Sequence, residues 1–285
     1  MCSKVYVITT LLFAVAWALS VPASNDLLIL LFLVAISVLG IPHGALDALL
    51  VNSFKHTNNA LGLVGFFMAY LAFTIFCIAV WLQMPEVALV VFLAVSIYHF
   101  SQDWRQLLPV YARLQIATII LCGPTLLYAD EVVAIFTMLG AENSVALIIA
   151  QAMQTTCVIA IASLVIQIKH YRQLFQGWKT SETTVLLCSA VLLPPLLHFT
   201  LYFCLLHSFK HLLDIIQNGL TSRKQLLLFG IPTIAVTYIG MFLGHLFLKP
   251  ISIEAGVLQV VFVGLFGLTM SHMIVIHFWH KRLGV

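Results

Sequence analysis

The stretch TTVLLCSAVLLPPLLHFTLYFCLLHSFKHLLDII, residues 183–216, decides how this chain is built. It is apolar almost throughout, yet at about 1.5 Å per residue it is too long for one membrane crossing. Pro194-Pro195 interrupts it, and proline both lacks the N–H that a helix needs and clashes with the preceding turn. Two readings follow: one kinked helix, or two crossings near 183–194 and 196–216. The stretch also ends in His207, Lys210, His211 and Asp214, polar groups that an apolar helix does not carry without a reason.

Working outward, apolar runs of roughly 17–25 residues, the length of a transmembrane helix, lie near 5–21, 27–51, 61–83, 87–104, 112–128, 144–168, 225–247 and 255–280. Lysine and arginine in short loops mark the cytoplasmic side. Lys4, Lys55, Arg105 with Arg113, and Lys169 with Arg172 and Lys179 fall at every second connection. The connections between them carry Asp26, Glu86, and Asp130 with Glu131 and Glu142. If residues 183–216 cross once, Arg223, Lys224, Lys281 and Arg282 all land outside. If they cross twice, these four land inside and Lys249 alone is misplaced. The expected fold is therefore all-α, a polytopic membrane helix bundle of 8–10 transmembrane helices, with ten preferred and both termini cytoplasmic.

Composition agrees. Hydrophobic residues make up 62% of the 285 and charged residues 8%, with a mean hydropathy of +1.09. A soluble domain carries roughly 25% charged residues to keep its surface wet. Residues 1–285 are thus expected to form a single integral-membrane domain in the cell membrane, with lipid around it. The net charge of +3 is scattered, which excludes a nucleic-acid surface. The six cysteines lie far apart without a CxxC pair and read as small buried hydrophobes. The run at 5–21, followed by the small residues of ALSVPAS, has the look of a cleaved signal peptide. Retention as the first span is expected, because the rest of the chain is membrane.

Histidine at membrane depth is costly and usually faces a cavity, a partner or a metal. Four motifs stand out: PHGALD (Pro42 to Asp47), HFSQD (His99 to Asp103), HSFKHLLD (His207 to Asp214) and SHM (Ser271 to Met273). His207 and His211, four apart, project from one face of a helix and suit a shared metal. His43 with Asp47 and His99 with Asp103 repeat the offset with a carboxylate second. A ligating histidine commonly gives its other ring N–H to a carboxylate, so Asp47, Asp103 and Asp214 are candidate outer partners.

With ten spans, His43, His99, His207 and His211 all sit on inward-running helices in the cytoplasmic half, and His272 lies at a similar depth. One crossing at 183–216 would send His207 and His211 to the other leaflet. The blander alternative is an interhelical hydrogen bond worth about 1 kcal/mol. It weighs least against His207 with His211, more against His43 and His99, and most against His272 among these five. His245 and His198 read as structural, and His56, His170, His277 and His280 as interfacial.

Imidazole ligands suit zinc, copper, iron and nickel alike, so the ligand type alone leaves the metal open. Four histidines closing a tetrahedron would make structural zinc, whereas open positions at iron would serve dioxygen chemistry. No thiolate cluster or nucleotide-binding glycine pattern accompanies the histidines. Tyr98, Phe100, Phe199, Tyr202 and Phe203 are candidate walls of an apolar substrate tunnel, although ordinary packing accounts for aromatics in such a chain as well.

PHGALD, HFSQDW, LYFCLLHSFKH and SHM, in that order along an all-helical membrane chain, resemble the Brp/Blh family of bacterial and archaeal β-carotene 15,15′-dioxygenases. The resemblance covers about residues 27–280. It implies central cleavage of β-carotene by O2 into two molecules of retinal, with Fe(II) held by the histidines matching His43, His99, His207 and His211. A rhodopsin is a candidate recipient of that retinal. Ser271 departs from the family pattern, which has proline before the histidine, and this puts the role of His272 in question.

Three rivals remain. Membrane di-iron desaturases and hydroxylases carry many histidine boxes, including adjacent pairs, and this chain has one HxxxH and no HH. A transporter would use histidine and aspartate as a relay, but such folds often repeat a broken helix in each half. A carotenoid-binding or rhodopsin-assembly factor would bind the polyene without iron or oxygen.

Overall fold

The computed structural model describes residues 2–19, 60–171, 176–217 and 253–283, together with Phe32, Ala35, Ile36, Gly40, Asp47, Ala235, Tyr238, Ile239, Gly240 and Phe242. Among the described residues every regular element is a helix and no strand occurs. Val64–Gln83, Pro85–Trp104, Asn143–Gln167 and Ala255–His277 are long and apolar enough to cross a membrane. The fold class is thus all-α with the helices of a membrane protein. The expected spans at 27–51 and 225–247 fall almost wholly outside the described residues.

Prolines set the boundaries of several helices. Helix α1 is Cys2–Ala18, and α2, Ala60–Gln83, gives way after Met84 to α3, Pro85–Ser101. Proline at the first helical position costs nothing, because that N–H has no partner within the helix. Helix α4, Val110–Cys122, follows Pro109 and tightens into a 3-10 turn at Gly123–Leu126 that contains Pro124. The chain then bends by 99° into α5, Ala129–Met138. The run expected as a span near 112–128 is thus one arm of a bent pair, Val110–Leu126 and Ala129–Met138, with the break at residues 127–128. Helix α6, Asn143–Gln167, is regular.

The deciding stretch resolves into two helices rather than one kinked helix. Helix α7, Trp178–Leu192, ends at Leu193, whose φ of −104° and ψ of 150° are the extended backbone forced on a residue before proline. Helix α8, Pro195–Thr200, starts with Pro195 at its first position. It leads into a π-helical segment, Leu201–His207, and then directly into α9, Ser208–Gln217. A π-helical turn is rare and is found disproportionately at functional sites. Helix α10, Ile253–Leu283, closes the described chain.

The chain divides into two compact units. The first comprises residues 1–36, 90–137 and 141–210, and the second residues 37–89, 138–140 and 211–285. In the first, α1 packs on α7 and on the π segment, and α4 packs on α6 and α7. Lipid tails are as apolar as leucine, so helices in a membrane associate through close packing and hydrogen bonds rather than through water exclusion. Gly123 shows the close packing: a Cβ there would lie 2.7 Å from the Ala190 carbonyl oxygen of α7. The hydrogen bonds include Gln115 Nε2 to Ser163 Oγ at 2.7 Å and the Tyr6–Ser189 hydroxyl contact at 3.3 Å.

In the second unit, α2 packs along α10. A Cβ on Gly267 would lie 3.0 Å from the Thr74 carbonyl oxygen, so the two helices need that glycine to approach as they do. Trp81 is buried against Phe266 and donates its indole N–H to the Leu139 carbonyl at 3.1 Å. Val64, Met68, Leu71, Ile75 and Leu82 of α2 remain exposed at three-, four- and seven-residue spacings. An apolar stripe of this kind suits lipid and not water.

Candidate functional site

Among the described residues each unit holds a buried cluster of tyrosine, aspartate and two histidines. In the first unit, His99 sits in the last turn of α3 and Asp103 in the 3-10 turn Gln102–Trp104 that follows. His207 ends the π segment. Its Nδ1 lies 2.9 Å from Asp103 Oδ1, and the Tyr202 hydroxyl donates to Asp103 Oδ2 at 2.8 Å. The Nε2 atoms of His207 and His99 are 2.9 Å apart. With Nδ1 on Asp103, the His207 ring turns its Nε2 toward His99.

That 2.9 Å separation is a hydrogen bond between the two rings, and it is also compatible with a shared metal. Two nitrogens at right angles on one ion, each about 2.0–2.1 Å from it, would be about 2.9 Å apart. Carboxylate-backed imidazole is also the arrangement by which proteins fix the tautomer and raise the basicity of a metal ligand. Aromatic rings enclose the pair. Phe100 and Phe203 stand 5.0 and 5.8 Å from the His207 ring, and both are buried.

In the second unit, Asp47, His211 and His272 offer ligand atoms that all lie within 4.8 Å of one another. His272 Nδ1 is 2.6 Å from Asp47 Oδ1, and the Tyr70 hydroxyl donates to Asp47 Oδ2 at 3.0 Å. The His211 ring meets the His272 ring edge-on at 5.4 Å. Ser271, the departure from the family pattern, shares a 2.8 Å hydrogen bond with Thr74 and donates to the Tyr70 carbonyl at 3.4 Å. It therefore ties α10 to α2 beside the cluster.

His99, Asp103 and His207 come together in the first unit, and Asp47, His211 and His272 in the second. His43 and the side chain of Asp214 lie outside the described residues. The four-residue offset from His99 to Asp103 suggested a local pair, but Asp103 serves His207, 104 positions away in sequence. Tyr202 is wholly buried with its hydroxyl on Asp103, behind His207. Phe199 stacks on Phe203 at 5.3 Å, whereas Tyr98 is half exposed.

His198 is held by Ser189 through Nδ1 at 3.2 Å and by the Ile120 carbonyl through Nε2 at 3.1 Å, so both ring nitrogens serve packing. Tyr70 is the residue that sequence reasoning missed. Its partner Asp47 is 23 positions away and no motif joins them.

The profile of the family described as "Beta-carotene 15,15'-dioxygenase" matches residues 34–280. A protein named beta-carotene 15,15'-dioxygenase from uncultured marine bacterium 66A03 is 29% identical over 255 residues, covering 84% of this chain and 90% of that protein. No solved structure matches.

Proposed function

The chain belongs to the β-carotene 15,15′-dioxygenase family, and from that premise we propose that it splits the central double bond of β-carotene into two molecules of retinal. Each carbon of the broken bond takes one oxygen atom, so both atoms of O2 enter the products and no external reductant is consumed. The observation that carries the reading is the buried His99–His207 pair, with Asp103 behind His207, in a chain of that family.

The proposed cofactor is Fe(II), held by His43, His99, His207 and His211. When bound, iron would supply the one-electron chemistry through which dioxygen reacts with a closed-shell polyene. The protein's own part is narrower. Asp103 holds the proton on Nδ1 of His207 and so keeps Nε2 available as a donor of its lone pair. Tyr202 orients that carboxylate. Phe100 and Phe203 keep water from the histidines and leave an apolar surround suited to a hydrocarbon.

The substrate is wholly apolar and enters sideways from the bilayer, which in this reading is the cell inner membrane with both chain termini cytoplasmic. Retinal leaves the same way, for the bilayer or a rhodopsin.

The test is to purify the chain in detergent, measure bound metal, and follow products from β-carotene in air by chromatography. Anaerobic samples and the His207→Ala variant run alongside. Retinal is expected only with iron, oxygen and His207 together. Full-rate cleavage by iron-free protein, or iron-loaded protein that yields no retinal in air, would sink the reading.

A further inference from the structure

We propose that His272 is a metal ligand through Nε2, and that Asp47 and Tyr70 are the pair that positions it. The inference rests on the reading of a metal centre above and concerns the cluster of the second unit, Asp47, His211 and His272, where the family resemblance left His272 without a role. It starts from a repetition. At His207 the order is Tyr202 hydroxyl to Asp103 Oδ2 at 2.8 Å, Asp103 Oδ1 to Nδ1 at 2.9 Å, and a second histidine ring, His99, at 4.6 Å and 76°. At His272 the order is Tyr70 hydroxyl to Asp47 Oδ2 at 3.0 Å, Asp47 Oδ1 to Nδ1 at 2.6 Å, and a second histidine ring, His211, at 5.4 Å and 85°. No sequence repeat links the two clusters; the shared feature is the chemistry.

Three observations favour a ligand over a packing histidine. His198 shows what a packing histidine in this chain looks like: a serine on one nitrogen, a backbone carbonyl on the other, and no carboxylate. His272 instead has a buried carboxylate on Nδ1, itself held by a tyrosine, which is the outer arrangement that ligating histidines use. Second, Asp47 and His272 are each 3% exposed, and among the described residues no lysine or arginine pairs with Asp47. A carboxylate so placed needs positive charge nearby. A metal ion held by His272 would supply that charge through the ring. Third, His211 is within reach: Asp47, His211 and His272 present ligand atoms inside 4.8 Å. With Nδ1 committed to Asp47, a metal bond from His272 is made by Nε2.

Cobalt(II) substituted into the chelated and reconstituted full-length protein separates these cases, because its visible bands report the ligand set without any turnover. Wild type, His272→Ala, Asp47→Asn and Tyr70→Phe are titrated with Co(II), with the thermal midpoint of each metal-free protein measured alongside. His272→Ala is expected to change the band shape and weaken Co(II) binding at least about 100-fold, and added imidazole is expected to restore the wild-type spectrum. Asp47→Asn is expected to keep the band shape while weakening binding about 10–100-fold, as loss of an outer carboxylate does. Tyr70→Phe is expected to shift affinity in the same direction by less.

Unchanged affinity and bands in His272→Ala, with wild type binding Co(II) normally, overturn the inference and leave the metal reading standing. Wild type that binds no Co(II) overturns both. If His272→Ala does not fold, Asp47→Asn decides: weaker binding at constant midpoint supports the proposal, and a lowered midpoint with unchanged binding overturns it.

Discussion

Asp103 accepts from a tyrosine and a histidine that both come from another part of the chain. Asparagine in its place keeps the size but loses the charge, and its amide competes for the role of donor. Asp103→Asn is expected to lower iron affinity about 10–100-fold. Tyr202→Phe leaves Asp103 on His207 and is expected to cost stability, about 1–3 kcal/mol, more than iron. Metal analysis beside thermal unfolding in detergent checks both, and equal iron affinity in Asp103→Asn and wild type would refute the role given to the carboxylate. At this scale the sequence showed which histidines and aspartates were unusual, because polar groups in apolar helices stand out. It did not show their pairing. An offset of four pointed Asp103 at His99 and Asp47 at His43, since spacing within a helix is all that one sequence displays. The bonds to His207 and His272 depend on how helices distant in sequence are packed.

Helix ends were legible where proline makes them. Pro194-Pro195 and Pro85 stop or start helices by removing a donor and restricting the residue before, and these effects are local. The bend falls at residues 127–128, at the end of the run near 112–128 and just before Asp130 and Glu131, and no proline marks it. The π segment carried no cue at all. Just past the end of α4, Gly123 meets Ala190 of α7 where no side chain fits. Gly123→Val must push α4 away from α7 or distort the turn, at a cost of about 1–3 kcal/mol or more. Thermal unfolding is the measurement. A midpoint equal to that of wild type would mean that α4 and α7 are free to separate.

For the molecule as a whole, composition was enough for the class: so few charges cannot clothe 285 residues in water. The uncovered apolar flank of α2 is the same fact seen in three dimensions. The number of crossings was harder to read, because it depends on whether each bent or broken run traverses the bilayer, a property of direction rather than of hydropathy. The charge pattern predicts that a reporter domain fused after Met84 is read as external and one fused after Gly177 as cytoplasmic. Compartment-specific activity of the two fusions tests this. The same side for both would remove the argument for ten spans.

The π segment has a consequence for how relatives of this chain should be aligned. Within 201–207 the backbone already accommodates a widened turn, so a one-residue gap there can relax to an ordinary α turn and leave the flanking helices in phase. In α9 no such slack exists, and each residue advances the helix by about 100°. A gap falling between Ser208 and His211 would swing His211 away from the face it shares with His207. Gaps should therefore be tolerated among kindred sequences on one side of His207 and selected against on the other.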